Sequence, residues 1–342
     1  MTPLLARVCR REPVGRTPVW LMRQAGRYLP EYRAVRQKLS LLEICARPDV
    51  TAEVTLQPIR RFDFDAAIIF ADILLPLVPM GAELRFARDE GPVIDNAITC
   101  AADIDRLRAI VPAESLAPTL SALRLVRTAL SPDTALIGFA GAPFTLASYL
   151  IEGGSSRRFT LTKSFMYNEP AAFDRLMQKL ARVTAEYLVA QIRAGADVVQ
   201  VFDSWVGWLG PDDYARFVKP HMPAIFDAVR AAGAPAIHFG VGTPGLLEGM
   251  RDAGGDVIGL DWRCSLDEGW RRVGPDRGVQ GNLDPVVLLA PHDEITRRTR
   301  DILHRAAGRP GHIFNLGHGI LPETPLEAVQ TLVGSVREYS PR

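Results

Sequence analysis

Eight apolar runs of four to seven residues, rich in Val and Ile, recur along the 342-residue chain with amphipathic stretches between them. They fall at 18–22, 66–71, 134–140, 197–202, 235–239, 256–260, 278–281 and 311–316. The runs are apolar almost throughout instead of alternating, as strands buried on both faces require. Between them, helical periodicity predicts helices at 49–61, 116–130, 171–194, 213–232 and 325–339. In the third, Phe173, Leu176, Leu180, Val183, Leu188 and Ile192 lie close to one stripe. Thr324 and Glu327 have capping-box spacing at the start of the last. Eight successive strand–helix units with no linker predict an α/β fold, a single (β/α)8 TIM barrel spanning 1–342, with a doubly wound sheet as the alternative. The 71–134 connection is too long for one helix. Leu84–Phe86 and Pro92–Ile94, flanking Arg88 to Gly91, predict an extra hairpin excursion after the second strand. Residues 1–15 are expected to form a loose N-terminal arm.

Charge alters this picture locally. The chain carries a net +1, which argues against a general nucleic-acid binder. Residues 1–61, however, hold 12 Lys+Arg against 5 Asp+Glu, a net of +7, leaving −6 for the remainder. An anionic ligand near the N-terminal segment is expected. Cysteines 9, 45, 100 and 264 form no CxxC pair, which fits reduced thiols in a cytoplasmic protein better than disulfides or a zinc knuckle. The most apolar run, 66–82, is interrupted by Asp72, Pro76 and Pro79, so no membrane span is expected, and the N-terminus lacks a signal-peptide core.

The candidate chemistry centres on residues 18–36. The apolar run 18–22 releases Arg23 and Arg27 into a loop containing Gly26, and Pro30 can open a helix that places Arg33 and Arg36 on one face. Guanidiniums pair carboxylates bidentately and stay charged, so the segment reads either as a receptor for a polycarboxylate or as a solvated basic helix. In the predicted barrel the other strand ends bring Asp72, the 138–143 turn, Asp203 with Ser204, Gly240, Asp261, Asn282, and Asn315 with His318 to the same face. Asp72, among apolar neighbours, must be paired or hydrogen-bonded to stay ionised, either as a structural cap or as a partner for ligand N–H groups. Tyr149 offers a phenol or packs in the core. His318 lies between Gly317 and Gly319, which let backbone and ligand approach each other. Gly240-Val-Gly-Thr-Pro-Gly245 followed by Asp261 fits a dinucleotide fingerprint, making an NAD(P)-dependent oxidoreductase a rival, although it belongs to the fifth unit and Pro244 removes a useful N–H.

The chain resembles the uroporphyrinogen decarboxylase family. The likeness rests on Pro18-Val-Trp-Leu-Met-Arg-Gln-Ala-Gly-Arg-Tyr-Leu-Pro-Glu-Tyr-Arg33 and Gly138-Phe-Ala-Gly-Ala-Pro-Phe-Thr-Leu146. Weaker likeness runs through Ile69-Phe-Ala-Asp-Ile73, Phe202-Asp-Ser-Trp205, Gln280-Gly-Asn-Leu-Asp-Pro285 and Asn315-Leu-Gly-His-Gly319. The resemblance implies a homodimeric (β/α)8 enzyme of porphyrin biosynthesis with no cofactor or metal. It implies substrate contacts at Arg23, Gln24, Ala25, Gly26, Arg27, Asp72, Tyr149, Ser204 and His318, and a further arginine, Arg36, near the cleft. Arg23, Arg36, Asp72, Tyr149 and His318 are the catalytic candidates, with the proton donor left open. Corrinoid methyltransferases of the same fold bind zinc through His-x-Cys and a later cysteine. This chain has His238-Phe-Gly240 instead.

Overall fold

The structure, a computed structural model, describes residues 2–87 and 91–340. Its strands are β1 (Ala66–Ile68), β2 (Leu84–Ala87), β3 (Gly91–Ile94), β4 (Ala135–Gly141), β5 (Val198–Asp203), β6 (Ala236–Gly240), β7 (Val257–Gly259), β8 (Gly278–Gln280) and β9 (His312–Ile313). Seven of these pair in parallel in the order β1-β4-β5-β6-β7-β8-β9, which is the order of sequence and the winding of a (β/α)8 barrel. Residues 18–22 close the gap between the two edge strands. Val19 forms a parallel bridge to Phe314, the Phe314 N–H donates to the Pro18 carbonyl, and the Asp65 N–H donates to the Val19 carbonyl. The predicted first strand is therefore in position but makes only a single bridge. Side chains take the N–H groups a ladder would use, because the Asp65 carboxylate accepts from Val19 N at 2.8 Å and Asn315 Oδ1 from Met22 N at 3.1 Å.

The excursion after β1 is the expected hairpin, with β2 antiparallel to β3 in the register Leu84↔Ile94, while the turn residues 88–90 lie outside the described residues. Helices Pro48–Phe62, Ala117–Ala129 and Pro170–Arg193 match prediction closely. Three expectations fail. The 213–232 helix is two helices, Pro211–Phe217 and Met222–Ala231, joined by a 3₁₀ turn at Lys219–His221, because Pro220 and Pro223 lack the N–H groups a continuous helix needs. Helix Leu326–Tyr339 is capped at Pro325 with no side-chain bond, so the Thr324–Glu327 box does not form. The N-terminal arm is not loose. Leu4–Cys9 is a helix that buries Leu5, Ala6, Val8 and Cys9 against β4 and β9.

The barrel lumen is filled. Trp20 Nε1 donates to Gln280 Oε1, and Gln280 Nε2 to Gln200 Oε1, both at 3.0 Å, and all three side chains are buried. Strand alternation puts Phe202 on the same face as Gln200. There it meets the Phe139 and Phe239 rings edge-on, with centroids 5.4 and 6.0 Å away, forming an apolar layer toward the C-terminal mouth.

Candidate active site

Arg23 stands where residues 18–22 leave the barrel, in a left-handed conformation (φ 62°) that non-glycine residues rarely adopt. Its loop is held from below by Gln24, whose buried amide accepts from Leu21 N (3.1 Å) and donates to the Ala66 carbonyl (2.9 Å). Tyr28 OH donates to the Gln24 carbonyl at 2.8 Å, and the Arg33 guanidinium to the carbonyls of Arg27 and Tyr28 at 3.0 Å. The structure thus gives the buried Gln24 amide scaffold work, whereas Arg33 is exposed and spends only Nη1 on these carbonyls. Ala25 is buried and Gly26 half-buried in the same turn. Glu31 pairs with Arg61, and of the nearby arginines only Arg33 acts on it, more weakly than Arg61 does. Arg23 and Arg27 remain exposed, with no hydrogen-bond partner for either guanidinium among the described residues. Arg36, at the end of helix Pro30–Arg36, donates to the Leu39 carbonyl at 2.6 Å, and its charge reaches Tyr32 and the buried Cys45 thiol.

Asp72 follows β1. Its surface is only half covered, yet it sits in a recess crowded by protein atoms, and this desolvation pushes its carboxyl above the usual range. The Leu74 N–H, donated to Oδ1 at 2.8 Å, and the Arg23 guanidinium oppose that rise. Tyr149 belongs to the buried helix Pro143–Glu152, with its ring 5.9 Å from that of Trp205. Burial first, and then Asp72, raise its phenol, which therefore stays protonated as a donor, while Arg23 acts in the opposite sense. Ser204 is half-buried one residue beyond β5, next to Trp205.

His318 lies beyond β9. Burial, then Arg23 and Arg263, lower its pKa to about 4, so its imidazole is neutral at pH 7. The glycines on either side let protein pack closely around it. A Cβ on Gly317 would stand 2.5 Å from Trp262 N, and one on Gly319 would stand 2.4 Å from Arg23 Cδ. Gly319→Ala must therefore displace the Arg23 side chain. A shift of about 1 Å at a catalytic group can lower kcat/KM by roughly 10²-fold. Steady-state kinetics on the variant, with Tm measured alongside, checks that outcome.

Arg23 accordingly acts on Asp72, Tyr149 and His318 together, which brings all four near one another beyond the C-terminal ends of the strands. Other strand-end residues named from sequence serve the scaffold. Asp203 points to the helix layer, fully buried, and accepts from Thr145 Oγ1. Asn282 Nδ2 donates to the carbonyls of Asp261 and Cys264, both at 2.8 Å, and Asn315 pins Met22. Asp261 is buried and accepts from Gly242 N and from Arg263, so neither the glycine N–H nor the acid of the dinucleotide fingerprint is open to a ligand. His238 lies under the helix layer against the Phe226 ring, away from the mouth. Sequence reasoning did not mark Phe202, in the apolar layer below the mouth, or Arg263, the half-exposed partner of Asp261. The first has its signal in strand alternation, and the second in standing two residues past a strand-end aspartate.

A family model described as uroporphyrinogen decarboxylase (URO-D) matches residues 2–339. A uroporphyrinogen decarboxylase from Roseiflexus sp. (strain RS-1) is 57% identical over 337 residues, 97% of either chain. One from Sorangium cellulosum (strain So ce56) is 56% identical, covering 96% of this chain and 94% of its own. Among solved structures, a methyltransferase from Methanosarcina mazei superposes with a TM-score of 0.81 over 98% of this chain and 97% of its own, but at 20% identity it speaks for the fold alone. The chain belongs to the uroporphyrinogen decarboxylase family.

Proposed function

We propose that this chain removes CO2 from the four acetate arms of uroporphyrinogen III to give coproporphyrinogen III, using its own side chains and no cofactor. The observation that carries the reading is the convergence of Arg23, Asp72, Tyr149 and His318, in which one guanidinium acts on all the others. The substrate has eight carboxylates. The unpartnered guanidiniums of Arg23 and Arg27, with Arg36 behind them, form the wall that binds these groups, and Ser204 contributes a hydroxyl.

Loss of CO2 from an acetate on a pyrrole needs an electron sink. Protonation of the adjacent ring carbon turns the pyrrole into that sink. The C–CO2 bond then breaks, its electron pair forms an exocyclic methylene, and the ring cation is neutralised. A proton added to the methylene gives the methyl group, and loss of the first proton from the ring carbon restores the pyrrole. Asp72, ionised, accepts the pyrrole N–H groups and stabilises the cation, which is electrostatic preorganisation. Tyr149 donates its phenol to a carboxylate. His318, neutral in the free protein, is not a standing acid. A bound polyanion raises its proton affinity, so any proton it delivers is taken up after the substrate arrives.

The four free cysteines fit a reducing, cytoplasmic compartment, and the family resemblance supports a homodimer with one barrel unit per chain. No helix among the described residues is long and apolar enough to cross a membrane. The test is incubation with uroporphyrinogen in chelator-treated buffer without nicotinamide. Stepwise loss of four carboxylates is the expected result. No loss there, with turnover restored by zinc and a corrinoid or by NAD(P), would overturn the reading.

A further inference from the structure

We propose that Arg263, anchored by Asp261 and laid on Trp262, grips a spectator carboxylate of the polyacid substrate on the His318 side of the mouth. The proposal rests on the decarboxylase reading above. It begins two residues beyond the end of β7, where Asp261 turns into the protein and is almost fully buried. Its Oδ1 accepts the Arg263 backbone N–H at 2.9 Å, and its Oδ2 accepts Arg263 Nη1 at 2.7 Å and the Gly242 N–H. One carboxylate therefore fixes both the backbone and the head group of Arg263. The guanidinium carbon lies 4.1 Å from the centre of the Trp262 ring, and that ring meets His318 edge-on, with centroids 6.3 Å apart and planes at 89°. The Gly317 backbone packs against Trp262 N, tying the platform to the His318 loop.

One nitrogen and one face of the guanidinium are thus engaged by protein, yet 47% of the side chain stays exposed. Nε and Nη2 have no partner among the described residues. A guanidinium held in this way presents its free edge in one orientation, which removes most of the ordering cost of a carboxylate contact. A cavity of 330 Å³ opens beside it, where Arg298 and Arg305 stand against the carboxylates of Asp284 and Asp301. The surroundings separate Arg263 from the chemistry. Both Arg23 and Arg263 act on His318, but Arg23 is the arginine that also acts on Asp72 and Tyr149. Arg263 belongs to binding, and its loss is read in KM.

The experiment measures initial rates of uroporphyrinogen decarboxylation by wild type, Arg263→Gln and Arg263→Lys, with Tm recorded for each. Arg263→Gln is expected to raise KM about tenfold or more, the size of a charged hydrogen-bond contact, with kcat within about threefold of wild type. Arg263→Lys retains attraction but neither fork nor stack, and falls between the two. Added salt raises the wild-type KM more steeply than that of Arg263→Gln. A KM for Arg263→Gln within about twofold of wild type overturns the clamp. A fall in Tm and kcat without a change in KM also overturns it, making the residue a prop for Asp261. A wild-type protein that releases no CO2 sinks the parent reading and this one with it, whereas an active wild type beside an unaffected Arg263→Gln sinks the clamp alone.

Discussion

Asp72→Asn is expected to lower kcat by about 10²- to 10³-fold, the usual consequence of removing a group aimed at a developing charge. The amide keeps the shape and one acceptor oxygen but cannot balance a cation. KM should change little, because the carboxylates of the substrate are bound elsewhere. The pH dependence gives a second reading. In the wild type the charged form of Asp72 is needed, so kcat/KM falls as pH is lowered through its pKa. Burial raises that pKa, and Arg23 only partly opposes the rise, so the acidic limb lies above the ordinary aspartate value of about 3.9. In Asp72→Asn the limb is lost and a low, flat rate remains. Near-native turnover in this variant would remove the cation-stabilising role.

Arg23→Lys is the second large effect. Kinetics should show kcat/KM reduced by roughly 10²-fold, because an ammonium cannot grip a carboxylate with two parallel bonds while also facing Asp72 and His318. Arg23→Gln separates charge from shape. With the guanidinium gone, two neighbours lose a positive charge. The His318 pKa then rises from about 4, though only part of the way toward its ordinary value, since burial is the larger cause. Asp72 is pushed further up, because the guanidinium that opposed its desolvation is missing. NMR titration of the His318 ring detects the first shift, and a displaced acidic limb detects the second. Unchanged His318 titration in Arg23→Gln would mean that the two side chains do not converge.

The winding of the barrel was legible because buried parallel strands are apolar throughout, and such runs stand out from amphipathic helices. Local competition was less so. Nothing in the run 18–22 announces that Asp65 and Asn315 would take its N–H groups and leave it with one bridge. Pro220 and Pro223 did carry a readable signal for the broken helix, but the apolar stripe outweighed it. In the site, residue type located the chemistry at Arg23, Asp72 and His318, because charged groups at strand ends are costly without a purpose. Type alone could not separate a guanidinium with no protein partner from one partly tied to carbonyls, as Arg23 differs from Arg33, and it could not show that the Gln24 amide is consumed by Leu21 and Ala66. Those distinctions depend on which way a side chain leaves a turn.

The bridge of Trp20, Gln280 and Gln200 has a consequence for traffic. With these side chains stopping the barrel like a cork, a molecule cannot pass from one end to the other. The tetrapyrrole must therefore enter and leave at the C-terminal mouth, the end that carries Arg23, Asp72, Tyr149 and His318.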